Sequence, residues 1–150
     1  MPSIHARLRL AIAASVVLGV CALAAACSDA TAPGGLASTI TATRTTGTFP
    51  DPAPVVHVDA DAVRIDGQLS TPTPCYALSS GASISHDTLV VRVSSHSTLK
   101  GDGACVQMVQ PWLYTVAVTG LPYDLTAIRV IHASGIGSEA VVLQQPIFVP

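Results

Sequence analysis

The chain has 150 residues, with seven Lys or Arg against nine Asp or Glu and a formal net charge of −2. Its basic residues are scattered, so no electrostatic footprint for nucleic acid forms and that class of partner is excluded. Apolar residues make up 49% of the chain but only six residues are aromatic, and much of the apolar content is gathered near the N-terminus. The average therefore does not describe a chain embedded in a membrane.

At the N-terminus, Arg7 and Arg9 precede an apolar stretch that begins at Leu10 and closes on Leu23-Ala24-Ala25-Ala26-Cys27. A basic start, an apolar middle and small residues before a cut site make a secretory signal. Because it ends on cysteine, the segment resembles the lipobox of bacterial lipoproteins across residues 1–27. That resemblance implies that Cys27 is diacylated with palmitate-type chains and becomes the new N-terminus. More than one acyl chain anchors a protein stably, so the expected partner is the membrane, reached through lipid on Cys27. One departure stands beside the match: Ala24 occupies the place three residues before the cysteine where the commonest lipobox has Leu, with Leu23 displaced one position further out. Cys21 is disfavoured as the lipid site by the bulky Val20 before it. The alternatives are an uncleaved span from Leu10 to Ala26, at the short limit for crossing hydrocarbon, and ordinary cleavage to a secreted protein. Ser28 resembles the context that sorts lipoproteins outward. The expected location is thus the bacterial cell envelope, in the outer membrane where the host has one.

Removal of residues 1–26 takes away Arg7 and Arg9 and leaves 124 residues with a net charge of −4, enough for one domain and a tail. Residues 27–54 are rich in Ala, Thr, Ser, Gly and Pro and poor in aromatics. Such a composition buries too little apolar surface to offset its ordering entropy, so a lipidated flexible tether is expected there. As a coil, the 27 residues from Ser28 to Pro54 reach about 30 Å.

From Val55 the period changes to two. Candidate strands are 55–58, 62–69, 76–84, 88–93, 105–109, 112–119, 126–132 and 140–149, each bounded by turn residues such as Asp66-Gly67, Gly81, Gly101-Asp102-Gly103 and Pro122. No sustained helical stripe follows residue 55. Seven or eight short strands in residues 55–150 predict an all-β domain, a single antiparallel β-sandwich. Tyr114, Val116 and Val118, then Gly120-Leu121-Pro122 and Arg129-Val130, resemble the closing strands of immunoglobulin and fibronectin type III modules. That resemblance implies an Ig-like arrangement. Thr126 stands where such modules often carry a corner tyrosine, and Trp112 follows both downstream cysteines instead of lying between them.

Cys75 and Cys105 remain once Cys27 is given to lipid. An even pair in a small exported domain reads as a disulfide. A redox pair or half a metal site is the alternative, but catalytic pairs usually stand close in sequence and metal sites need more ligands at short spacing.

His57, Asp59 and Asp61 alternate and would share one face of a strand, as metal ligands do. Charged side chains on an early edge strand also guard against edge pairing, and no metal site is assigned. Ser85-His86-Asp87 and Ser95-His96-Ser97 invite a nucleophile reading, but neighbours on a strand point to opposite faces and no Gly-x-Ser-x-Gly elbow occurs. Both read as turns flanking the Leu89 strand. No catalytic residues and no cofactor are therefore expected. Trp112 and Tyr123 are candidate partner contacts, since aromatics concentrate at interfaces. The sequence reads as a non-enzymatic envelope lipoprotein that presents a β-sandwich to an envelope protein or glycan. An inhibitor or accessory subunit of an envelope enzyme is the alternative, with a loop such as 72–74 or 122–124 inserted into a cleft.

Overall fold

The structure, a computed structural model, describes residues 35–46, 50–101, 103–135 and 137–149. The signal segment and Cys27 lie outside the described residues. Eight strands follow in chain order: β1 (Ala37–Arg44), β2 (Val55–Val58), β3 (Ala62–Thr71), β4 (Tyr76–Ser85), β5 (Thr88–Ser97), β6 (Gln110–Thr119), β7 (Ala127–Ala133) and β8 (Glu139–Pro146). They form two four-stranded sheets, ordered β1-β6-β3-β2 and β4-β5-β7-β8. This is an all-β sandwich.

Strict alternation builds its core. In β3, Val63, Ile65 and Leu69 point inward, and in the paired β6 so do Tyr114, Val116 and Val118. The opposite sheet supplies Leu89, Val91 and Val93 from β5 and Ile128 and Val130 from β7. Burying each such aliphatic side chain stabilises the fold by about 1.5–3 kcal/mol before entropy is counted. Edge strands contribute thinner inner stripes, such as Ile40 and Ala42 from β1, which are only partly buried.

The central strands β5 and β7 run parallel, with Leu89 opposite Ile128 and Val91 opposite Val130, while every other pair is antiparallel. The second sheet is therefore mixed, where an all-antiparallel sandwich was expected. Its cause is the route of the chain: between β5 and β7 it crosses to the other sheet, forms β6 and returns. Two strands joined by such a crossover point the same way. Immunoglobulin sheets are antiparallel throughout, so the sandwich departs from that pattern at this pair.

Three more expectations change. Residues 37–44 fall inside the segment read as a tether, yet they form β1, paired along its whole length with β6. An edge strand needs only a thin inner stripe, and Ile40 and Ala42 supply it while the outward threonines favour an extended backbone. Residues 50–54 also leave the tether, because the Asp51 carboxylate accepts bonds from the Ser70 amide (2.8 Å), the Ser70 hydroxyl and the Gln68 amide (2.6 Å each). Conversely, Cys105–Val109 is not a strand: it belongs to the 98–109 connection that carries the chain between sheets. Asp66-Gly67, Gly81 and Ser95-His96-Ser97 lie within strands and not at turns. Gly67 sits opposite Tyr114, and a Cβ there would stand 2.4 Å from the phenol oxygen, so the ring occupies the space a side chain would take.

The strands give the sandwich two ends. The near end, where β1 begins, gathers residues 35–36, 59–61, 86–87, 120–126 and 147–149; the far end gathers 45–46, 50–54, 72–75, 98–101, 103–109, 134–135 and 137–138.

Candidate functional site

At the far end a disulfide joins Cys75 to Cys105, with Cα atoms 6.1 Å apart. The same place is fastened by hydrogen bonds, since the Thr98 amide and hydroxyl both donate to the Cys75 carbonyl at 2.9 and 3.0 Å. Thr71 supports it from below. Its buried hydroxyl lies 2.8 Å from the Thr73 carbonyl and 3.1 Å from that of Gln110, and accepts from Trp112 Nε1 at 3.2 Å. The Arg44 guanidinium stacks 5.2 Å from the Trp112 ring centre and donates to the Pro74 carbonyl at 3.0 Å. Trp112 is therefore half-buried, with its N–H and one ring face engaged inside the fold. Above this base the 98–109 connection exposes Leu99, Val106, Met108 and Val109, with Val106 at 68%. Water is a poor environment for four apolar side chains that could instead have faced inward. In the 72–74 turn Thr73 is buried and Pro72 is exposed.

A second feature is a groove of about 580 Å³ on the outer face of the first sheet, with Thr41, Thr43, Leu113 and Thr115 on its floor and Val55 and Pro52 among its walls. Asp66, at its side, accepts from the Thr115 hydroxyl at 2.6 Å and from Arg64 Nε at 3.1 Å, and faces His57 Nε2 at 3.5 Å. Its charge is compensated on the spot. His57 thus faces Asp66 on the neighbouring strand, and among the described residues no three His, Cys, Asp or Glu converge as metal ligands.

Between the sheets, the Tyr114 hydroxyl lies 2.7 Å from His132 Nε2, with the rings edge to face at 5.6 Å. Burial pushes the Tyr114 phenol well above its usual range, and the Asp51 carboxylate pushes the same way. Burial also lowers the His132 pKa, opposed by Asp51. At neutral pH this is a protonated phenol bonded to a neutral imidazole, a satisfied polar pair within an apolar core.

The Ser85-His86-Asp87 motif forms the β4–β5 turn, and His86 adopts a positive φ of 58°. Asp87 accepts from the Thr126 hydroxyl and its backbone carbonyl accepts the Thr126 amide at 2.9 Å. The Thr126 bond, then the residue's own backbone amide, hold the Asp87 carboxyl below its usual range. Asp87 thus ties two near-end loops together. Tyr123, in the 120–126 loop, is 85% exposed, and Phe148 is 80% exposed at the same end, where the Ile147 amide bonds to the Thr126 carbonyl at 2.9 Å. Val106, Met108, Val109 and Phe148 fall in the candidate strands 105–109 and 140–149 of the sequence, but they lie outside the eight strands, which leaves them exposed.

No family model, no curated protein and no solved structure matches this chain.

Proposed function

We propose that the chain is a bacterial envelope lipoprotein, held by lipid on Cys27, whose sandwich is a non-enzymatic module that binds another envelope protein through its far end. The anchor reading is supported by the run Leu23-Ala24-Ala25-Ala26-Cys27 behind Arg7 and Arg9. The observation that carries the binding reading is the stapled 98–109 connection. It presents Leu99, Val106, Met108 and Val109 to solvent on a base fixed by the Cys75–Cys105 disulfide. Apolar side chains on a rigid base lose little entropy on association, which favours a protein partner over a glycan. The same staple supports a second reading, insertion of this loop into the cleft of an envelope enzyme as an inhibitor or accessory subunit.

Labelled palmitate fed to cells tests the anchor. Incorporation that disappears in Cys27→Ala is the expected result; label retained in that variant, or absent from the wild type, rejects the lipoprotein. For the module, Val106→Asp with Met108→Asp should abolish recovery of a defined envelope protein with the tagged chain while leaving the label in place. Unchanged recovery would move the contact elsewhere.

A further inference from the structure

We infer that the near end of the sandwich rests on the lipid headgroup layer, with Tyr123 and Phe148 as its interfacial contacts and zwitterionic, amine-bearing headgroups as its preferred surface. This rests on the lipid anchor proposed above. Because β1 begins at Ala37 and Gly35 already packs on Gly120, only residues 28–34 separate Cys27 from the folded domain. Gly120 has φ +75°, and a Cβ there would come within 2.6 Å of the Gly35 carbonyl oxygen, so the chain is fixed against the 120–126 loop at that point. Eight Cα steps span at most about 28 Å when fully extended, about the length of one strand of this sandwich. However those residues are arranged, the near end stays close to the bilayer surface.

The chemistry of that end suits the position. Tyr123 and Phe148 are the two most exposed large apolar side chains among the described residues, and both lie there. Leu121 and Pro122 of the 120–126 loop line a hollow of about 360 Å³ together with Leu36 and Ile84. Aromatic rings settle at the headgroup level, where one part of the ring is dry and another wet. The charges of the same end set the choice of lipid. Asp59, Asp61, Asp87 and Asp124 stand on its turns, with His86 between them and no Lys or Arg in residues 59–61, 86–87 or 120–126. A carboxylate-bearing surface is repelled by anionic lipid and pairs with the ammonium group of phosphatidylethanolamine, an effect that salt screens.

The experiment uses the lipidated full-length protein reconstituted in phosphatidylethanolamine/phosphatidylcholine vesicles with brominated acyl chains, which quench nearby tryptophan. Trp112, at the far end, serves as the internal reference. The added emission of Tyr123→Trp and of Phe148→Trp should be mostly lost, and that of Val106→Trp retained. Replacing part of the phosphatidylethanolamine with phosphatidylglycerol should restore the Tyr123→Trp emission at low salt, and added salt should quench it again. Unquenched emission from both near-end variants on vesicles that float with the protein would overturn the contact while leaving the anchor intact. Quenching of Val106→Trp in their place would reverse the orientation. Protein that neither floats nor carries palmitate label would overturn the anchor and this inference together.

Discussion

The two ends of the sandwich grow from the same eight strands but are fastened differently. At the far end, a covalent bridge and a buried hydroxyl network hold a long connection whose apolar side chains face water. At the near end the loops are shorter and tied by hydrogen bonds, with the Asp87 carboxylate and backbone carbonyl both accepting from Thr126 and the Ile147 amide donating to the Thr126 carbonyl, and the exposed groups are two aromatics among carboxylates. A long apolar connection needs a staple because it lacks a ladder of backbone bonds; a tight turn does not. The contrast teaches where binding capacity can be stored in a small β domain: on the segment that crosses between sheets, which owes nothing to strand alternation and is free to expose what the strands must bury.

Removing the staple should have the largest effect and should fall on one end. Cys75→Ala with Cys105→Ala frees a loop of about 30 residues and should lower unfolding free energy by roughly 3–4 kcal/mol in the chain-entropy model, read from urea midpoints. Amide exchange in the double variant should rise in the 98–109 connection and stay unchanged in the 120–126 loop. Equal rises at both ends would break the comparison.

Changes in the shared middle should act on both ends alike. Gly67→Ala drives a methyl group into the Tyr114 ring and should cost about 1–3 kcal/mol by overpacking. Tyr114→Phe leaves His132 Nε2 without its 2.7 Å partner and should cost a similar amount, about 1–3 kcal/mol. Either loss is read as a lower urea midpoint with exchange raised at both ends. A drop confined to the near end would show that the middle does not couple them.

The same pair fixes a pH dependence. Burial holds the His132 imidazole below its ordinary value, so the unfolded chain binds a proton that the folded chain refuses. Stability is then full above the unfolded value of about 6.5 and falls as pH drops below it toward the lower folded value. His132→Gln should flatten that part of the curve in chemical denaturation between about pH 7 and pH 5. An unchanged slope would assign the dependence to another group.

The smallest stability effects should come from the exposed groups themselves. Val106→Asp, Met108→Asp, Tyr123→Ser and Phe148→Ser should each move unfolding free energy by no more than about 0.5 kcal/mol, while the first pair alters partner recovery and the second alters lipid contact. A larger loss at any of the four would make it a structural residue.

Much of this architecture is legible in the sequence because the inner strands alternate cleanly. Leu89, Val91 and Val93, or Tyr114, Val116 and Val118, declare strand and inner face together, and seven of the strands follow. β1 escapes because its inner stripe is only Ser38, Ile40 and Ala42, and its strand character comes from β6 beside it. Cys105–Val109 misleads for the opposite reason: it alternates like a strand but finds no neighbour to pair with. The parallel β5–β7 pair depends on which sheet β6 joins, a long-range choice that local patterning does not encode. Of the candidate site, Cys75, Cys105 and Tyr123 are readable from residue type. The Tyr114–His132 bond and the exposure of Val106 require the strands to be placed first.

The division of labour between the two ends is tested most directly by photo-crosslinking in living cells, with a photoreactive residue at position 106 in one full-length variant and at position 123 in another. A discrete protein adduct is expected from position 106 and lipid adducts from position 123. Lipid adducts from position 106, or one and the same protein adduct from both positions, would contradict that division.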